Sequence, residues 1–297
     1  GISEKLYNRI INQIIDKLPI LNEWHSNEIL NKFDNINWND SIKKLHDPEN
    51  IGNYKKNFYQ RLAYDEIFST FLVNSEIRKK IKKIKKKNKF FDEKKQKHLI
   101  NKLDFSLTDD QKKTLNEINK DLCSSKKMFR LLQGDVGSGK TIVSLLAAFN
   151  TIISGFQVAV MAPTEILARQ HYNLARKIFP KNLNIQLISG KSDYKTKKDI
   201  LNKLSTNEID IIFGTHAIFQ KKVNYKNLGL IIIDEQHKFG VNQRKRLSDK
   251  GGNNCDVLLM TATPIPRTLT MTMYGDMDLS IIAEKPKLRK PIKTYSK

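Results

Sequence analysis

Cysteine is nearly absent from this chain of 297 residues: only Cys123 and Cys255 occur, far apart and without CxxC spacing. This scarcity excludes a disulfide framework and a zinc site built on thiolates. Long hydrophobic runs are also absent, since none approaches the roughly 18 apolar residues that cross a bilayer. The first residues lack the basic, apolar and small-residue order of a signal peptide. We therefore expect a cytoplasmic protein with no membrane partner.

Acidic residues and arginine are both scarce. Lysine and arginine number 53 against 31 aspartate and glutamate residues, a formal net charge of +22, and only ten of the 53 are arginine. Strong positive charge is typical of proteins that bind nucleic acid. Proteins that grip phosphate usually include arginine, whose planar fork makes bidentate contacts, so the surplus of lysine also fits AT-rich coding. The charge permits a DNA partner without establishing one.

Strand patterns are missing from residues 1–103. Apolar residues recur there at steps of three and four, as at Leu6, Ile10 and Ile14, which is typical of helices. Pro48 and Gly52 interrupt the pattern and predict a loop. We predict a mostly α-helical segment over these 103 residues.

Residues 78–97 form a lysine-rich stretch in which Asp92 and Glu93 are the only acids. Ile77, Ile81 and Ile84 keep helical spacing, which predicts an exposed helix with one apolar stripe. Two interpretations of its lysines stay open: a solvated helix face and a contact with DNA phosphates.

After about residue 105, short apolar runs alternate with polar helical stretches. This alternation predicts an α/β domain with a parallel sheet covered by helices on both faces. In such a doubly wound domain, ligands bind at the carboxyl ends of the strands. The predicted strands are 129–132, 158–161, 185–188, 209–213, 228–233 and 257–260.

A glycine-rich motif of the form G-x-x-x-x-G-K-[ST] follows the first of these strands and opens a helix. Its glycines let consecutive backbone N–H groups face a phosphate, and the helix N-terminus adds partial positive charge. The lysine would reach the outer phosphates of a nucleotide, and the threonine would offer a hydroxyl to Mg²⁺. The motif comprises Gly134, Asp135, Val136, Gly137, Ser138, Gly139, Lys140 and Thr141.

Two carboxylates and a threonine-rich loop follow two other predicted strands. Asp234 and Glu235 end an isoleucine-rich strand, where we assign Asp234 to the metal and Glu235 to the attacking water. Thr261 and Thr263 follow a further strand, and their hydroxyls could bond to those carboxylates and sense the nucleotide. The conjunction with the glycine-rich motif predicts a site for ATP and Mg²⁺.

The run D-E-Q-H-K-F-G-V-N-Q-R at residues 234–244 strongly resembles a stretch of the RecG family, branched-DNA helicases of the second helicase superfamily. Residues 105–111, 161–171, 214–217 and 274–280 are also similar to RecG in the expected order, and residues 41–46 and 61–66 more faintly so. Lys238 departs from the family, which usually has arginine there.

The resemblance implies a RecA-like domain and gives roles to further residues. Gln111 would read the adenine edge, with Phe105 nearby in the ATP site. Thr261 and Thr263 would couple the nucleotide state to the grip on DNA, and His237 would relay hydrogen bonds toward them rather than bind metal.

A second set of residues would face the DNA. Contacts of this kind hold the phosphate backbone without reading its sequence. The resemblance places in this set Thr164, Glu165, Arg169, Ser189, Gly190, Lys191, Thr215 and His216.

The family pattern also predicts how the chain is organised. Residues 104–284 would be the first motor domain and residues 285–297 the start of a linker. A wedge domain would precede Gly1, and a second motor domain with an arginine finger would follow Lys297. Since an arginine finger is worth on the order of a thousandfold in hydrolysis, we expect this chain, taken as a monomer, to turn over ATP poorly.

Two alternatives to a helicase that remodels DNA forks and junctions stay open at this point. The motor of a transcription-repair coupling translocase is similar, but it usually has glutamate where this chain has Gln236. A truncated module that binds nucleotide or DNA without catalysis is the other.

Overall fold

The computed structural model describes residues 3–46, 55–190, 193–220, 222–235, 252–263, 275 and 277–284. The chain divides into two compact units, Gly1–Asn74 and Ser75–Lys297. In the described ranges, no helix has the length and apolar character needed to cross a membrane.

The first unit is built from helices. They are α1 (Glu4–Ile15), α2 (Asn27–Leu30), a 3-10 turn (Asn31–Phe33), α3 (Trp38–Leu45) and α4 (Lys55–Lys83), whose last turns belong to the second unit. Side chains fix the helix starts: Ser3 accepts a hydrogen bond from the Leu6 N–H, and Asn37 accepts one from the Asp40 N–H. The predicted helical segment is confirmed.

A buried arginine organises the first unit. Arg61 is fully buried, and its guanidinium lies 3.0 Å from Glu23 Oε1 and 3.0 Å from Asp65 Oδ2. Asp65 also contacts His25 Nε2 at 2.6 Å. Since a buried charge is costly unless it is paired, this network fixes the segment before α2 against α4.

The second unit is an α/β domain. Its described residues form seven parallel strands in the order β3-β4-β2-β5-β6-β1-β7. The α/β fold and the six predicted strands are confirmed. The elements are α5 (Glu93–Asn101), α6 (Asp109–Cys123), β1 (Phe129–Gly134), α7 (Lys140–Ile153), β2 (Gln157–Met161), α8 (Glu165–Ile178), β3 (Ile185–Ile188), α9 (Tyr194–Thr206), β4 (Ile211–Gly214), β5 (Leu228–Ile233), β6 (Asp256–Thr261) and β7 (Asp278–Ile282).

Hydrophobic cores lie on both faces of this sheet. Successive side chains of a strand point to opposite faces, and β5 shows the result: Leu230 and Ile232 belong to one core, while Ile231 and Ile233 belong to the other. All four are completely buried. Burial on both sides explains why the central strands read as continuous apolar runs.

Strand β7 was not predicted from the sequence. Among the described strands it lies at the edge of the sheet, where it pairs with β1. Ser280 and Ile282 are buried, whereas Ile281 is 48% exposed. The strand therefore lacks the continuous apolar run on which the strand predictions depended.

The predicted helix over residues 78–97 is confirmed for residues 78–83 and 93–97 but is wrong for residues 84–92. Helix α4 ends at Lys83, and α5 begins only at Glu93. The intervening residues 84–92, which we call the strap, follow the edge of α6 instead. The Lys86 N–H donates to Ser125 O at 2.9 Å, and the Lys89 N–H donates to Leu122 O at 3.1 Å.

Two strap lysines explain this path. Lys86 Nζ and Lys89 Nζ lie 2.5 and 2.7 Å from the same Asp256 oxygen, and all three side chains are buried. The other Asp256 oxygen accepts from the Met128 N–H at 2.7 Å. Burial lowers the pKa of Lys86, and the charge of Asp256 opposes that shift. A helix over the strap would leave these buried groups unpaired.

Candidate nucleotide-binding site

The glycine-rich motif connects β1 to α7 as a tight loop. Gly137 and Gly139 have φ values of +76° and +91°, in the left-handed region that favours glycine. Gly139 is the N-cap of α7, so the loop leads directly into a helix N-terminus. The loop and helix together therefore present backbone N–H groups and a positive dipole end, which suit a phosphate.

Gln111 packs against this loop. It is 1% exposed, its Nε2 donates to Ser138 O at 2.7 Å, and its Oε1 accepts from the Thr108 N–H at 3.0 Å. Thr108 and Gln111 form a capping box at the start of α6. A Cβ atom at Gly139 would collide with the Gln111 amide. Gln111 thus supports the loop, and its contact with adenine stays a prediction.

We expect Gly139→Ala to destabilise the loop and to abolish nucleotide binding. An L-residue in the left-handed region costs about 1–2 kcal/mol, and the new methyl group would also displace Gln111. Gly155→Ala is the matched control, because Gly155 has φ +82° but a Cβ atom there would meet nothing within 4 Å. Urea unfolding and titration with a fluorescent ATP analogue measure both effects. Equal losses in the two variants would contradict the role given to the Gln111 contact.

The Lys140 side chain folds over the loop. Its Nζ donates to Gly134 O at 2.7 Å and to Asp135 O at 3.0 Å. Burial lowers the pKa of Lys140, while the charges of Asp234, Glu235 and Asp135 oppose the shift. The structure therefore brings the lysine into electrostatic range of the acidic pair.

Asp234 lies at the carboxyl end of β5 and is 8% exposed. One oxygen contacts His171 Nε2 at 2.7 Å, and the other accepts from the Glu235 N–H at 3.1 Å. Glu235 has φ +52°, which turns the chain sharply after the strand. The aspartate is held from two sides, so its carboxylate has a fixed orientation.

Sequence reasoning did not give His171 a role. It lies on the buried side of α8 together with Ala168 and Ala175, at steps of three and four. A histidine in the apolar stripe of an otherwise exposed helix signals a polar partner in the interior, because buried polar groups are hydrogen-bonded. That partner is Asp234 in the structure.

The donor set fits Mg²⁺ bound together with phosphates. Thr141 follows Lys140 in the first turn of α7, and Asp234 supplies a carboxylate from β5; hydroxyl and carboxylate oxygens are ligands that Mg²⁺ prefers. The Ser138 Oγ is buried and has no hydrogen-bond partner among the described residues. This loop therefore offers a further buried hydroxyl to a bound group.

The threonine-rich loop starts at the end of β6, between β5 and β1. Thr261 is opposite Gln133 of β1, and its hydroxyl lies 2.8 Å from that of Thr263. The Thr263 N–H also donates to Thr261 Oγ1 at 3.3 Å. His237, the predicted relay residue, lies outside the described residues.

The residues predicted to face DNA follow strands β2, β3 and β4, which are neighbours in the sheet. Thr164 caps α8, and Glu165 accepts from the Gly190 N–H, which joins two of the predicted segments. Arg169 is exposed and Ser189 is buried. Of the others, His216 is exposed, Thr215 is half-buried and Lys191 lies outside the described residues. Phe105, assigned to the ATP site, is 39% exposed.

Comparison with known proteins is in line with this geometry. The model of the family "DEAD/DEAH box helicase" matches residues 108–272. The chain is 42% identical over 298 aligned residues to an ATP-dependent DNA helicase RecG of Streptococcus pneumoniae, covering 99% of the chain and 44% of that relative. To the RecG of Thermotoga maritima it is also 42% identical, covering 99% of the chain and 38% of that protein.

A solved structure of RecG bound to a three-way DNA junction matches with a TM-score of 0.75 and 38% identity, over 98% of this chain and 39% of that one. The chain thus spans less than half the length of each of these relatives. The match includes the helical segment as well as the α/β domain. The chain therefore belongs to the DEAD/DEAH box helicase family, and nearly its whole length is similar to the RecG helicases.

Proposed function

We propose that the chain is the ATP-binding motor domain of a DNA helicase that remodels forks and junctions in the bacterial cytoplasm, using ATP with Mg²⁺. The observation that carries this proposal is that the glycine-rich loop with Lys140 follows β1 and that Asp234 and Glu235 follow β5, so both lie at the carboxyl edge of one parallel sheet; the charges of the two carboxylates also act on Lys140. Phosphoryl transfer needs these parts: a cation on the outer phosphates, a metal ligand and a group that orients water.

Each residue then has a chemical task. Lys140 would exchange its two backbone acceptors for oxygens of the outer phosphates. Thr141 and Asp234 would hold Mg²⁺, with His171 keeping the aspartate oriented, and Glu235 would orient the attacking water. Mg²⁺, when bound, neutralises charge that develops on the phosphates. To contact adenine, the Gln111 amide would have to give up its hydrogen bonds with Ser138 O and the Thr108 N–H.

The DNA side of the proposal rests on the adjacent strand ends β2, β3 and β4. Thr164, Arg169, Thr215 and His216 supply hydroxyls, a cation and an imidazole there, none of which requires a particular base. Thr261 and Thr263 lie at the end of β6, between β5 and the strand that leads into the nucleotide loop. A shift of the threonine-rich loop would therefore link the nucleotide site to the DNA-facing residues. A branched DNA is the proposed substrate, as in the relative whose structure contains a three-way junction.

The experiment that tests the proposal measures ATP turnover by this chain with and without forked DNA, beside binding of a fluorescent ATP analogue. We expect nucleotide binding with slow turnover, because the arginine finger would come from a second motor domain. Failure to bind any adenine nucleotide would contradict the proposal. Fast turnover stimulated by DNA would contradict the part that assigns the arginine finger to another domain.

A further inference from the structure

A cationic groove lies away from the nucleotide site, at the opposite edge of the sheet. It has a volume of about 460 Å³ and is lined by Ser75, Arg78, Lys79, Lys82, Lys83 and Lys126. We call these residues the basic groove. Lys126 lies shortly before β1, and Asp278, which pairs with Arg78 and Lys82, is the first residue of β7. The groove is therefore at the amino ends of the strands.

The basic groove has more positive charge than its own carboxylates balance. Asp278 contacts Arg78 and lies 3.4 Å from Lys82 Nζ, and Glu76 lies 3.1 Å from Lys79 Nζ. Within the described part of the chain, the structure gives no ion pair for Lys83 or Lys126. Five cations thus face two carboxylates.

The backbone next to these cations is held in place by the strap. Lys85 and Lys126 form an antiparallel β-bridge, which joins the end of α4 to the loop before β1. The buried pairs of Lys86 and Lys89 with Asp256 fix the next residues of the chain. Because the backbone on both sides of the groove is fixed, little ordering is needed when a ligand binds.

Four of the five cations are spread in a row along the axis of α4 instead of converging on one position. Arg78 to Lys83 spans about 7.5 Å along the axis of α4, at 1.5 Å per residue. A strand of duplex DNA rises 3.4 Å for each phosphate, so the row extends over about two phosphates and Lys126 widens it. A single small anion would use only part of the row.

We propose that the basic groove binds the phosphate backbone of a duplex arm of the branched DNA, as a second contact separate from the motor motifs. The groove and the nucleotide loop lie at opposite ends of β1, whose six residues span about 20 Å. A contact in the groove is therefore separate from a contact at the carboxyl edge. This inference rests on the proposed function.

The test compares two variants with the same loss of charge. In the first, Lys79, Lys83 and Lys126 of the basic groove are replaced by glutamine. In the control, the exposed lysines Lys94, Lys95 and Lys97 of α5 are replaced by glutamine. Binding of a fluorescent three-way DNA junction and of a single-stranded oligonucleotide is measured for the whole chain between 50 and 200 mM salt.

For the groove variant, the plot of log affinity against log salt should become less steep by about 0.9 per lost contact. With three contacts, wild type would lose about 40-fold more affinity for the junction than the variant over this salt range. The control should keep the wild-type slope. Binding of an ATP analogue should be unchanged in both variants.

An unchanged junction slope in the groove variant would overturn the inference and leave the proposed function standing. A change seen only with the single-stranded oligonucleotide would overturn the assignment to a duplex arm. Absence of nucleotide binding by wild type would instead overturn the proposed function. The two failures are therefore distinguishable.

Discussion

Replacing Lys140 by methionine should lower the affinity for ATP by roughly 10- to 100-fold. A hydrogen bond to a charged group is worth about 1.5–3 kcal/mol, and tenfold in affinity corresponds to about 1.4 kcal/mol. Methionine keeps most of the aliphatic stem and removes only the ammonium group. Isothermal titration with a non-hydrolysable ATP analogue gives the affinity directly.

The fold should survive this change. Burial already lowers the pKa of Lys140, which shows that its ammonium group lies in a site that disfavours the charge. Lys203→Met is the control, because Lys203 is a partly exposed lysine whose Nζ lies 2.8 Å from Asp199 on α9. We expect wild-type affinity in that control. Wild-type ATP affinity in Lys140→Met would disprove the assignment of Lys140 to the phosphates.

Replacing Asp256 by asparagine should cost about 3–5 kcal/mol in the free energy of unfolding, the cost typical of a broken buried ion pair. The carboxylate is fully buried, and it is the common partner of Lys86 and Lys89. Its loss would leave two buried ammonium groups without a counter-charge. Urea unfolding followed by circular dichroism measures the effect, with Asp199→Asn in the exposed Asp199–Lys203 pair as control, expected within about 0.5 kcal/mol.

Two further measurements separate charge from packing. The pKa of Lys86 is lowered in the folded chain, so the unfolded chain keeps this proton to a higher pH, and stability rises with pH between the two values. The deficit of Asp256→Asn should therefore shrink as the pH approaches 10.5, the ordinary value. Adding Lys86→Met and Lys89→Met should restore stability at neutral pH, since apolar groups can replace a buried ion pair. If the triple variant does not recover stability, the loss in Asp256→Asn comes from altered packing and not from unpaired charge.

Local patterns predicted those parts of the fold whose cause is local. Five of the six predicted strands, all except the edge strand β3, are buried along their whole length, so they appear as apolar runs, and the loop from Gly134 to Thr141 has a fixed spacing. Strand β7 was missed because Asp278 and Ser280 interrupt its apolar residues and Ile281 is exposed, so no continuous apolar run marks it. Residues 278–282 form a strand because they pair with β1, and β1 lies about 150 residues earlier in the chain. The local sequence of β7 does not reveal this pairing.

Contacts between distant residues account for the other differences. The strap has the residue spacing of a helix, and this spacing led to the wrong prediction. The cause of its extended path is Asp256, the partner of Lys86 and Lys89, which lies about 170 positions later and is not visible in the local sequence. His171 and Asp234 are similarly separated by 63 positions. The acidic pair and the lysine were predictable from their positions after strands, whereas the pairing of His171 with Asp234 was not.

The sheet order also has a consequence for folding during synthesis. Strand β1 carries the nucleotide loop, yet its two neighbours are β6 and β7, the last described strands of the chain. While residues before 256 emerge from the ribosome, β2 to β5 can already pair, but both edges of β1 remain open. An unpaired strand edge invites pairing with other chains, and pairing across such separations is slow. The strand needed for nucleotide binding is therefore completed last and is the most exposed to misassembly.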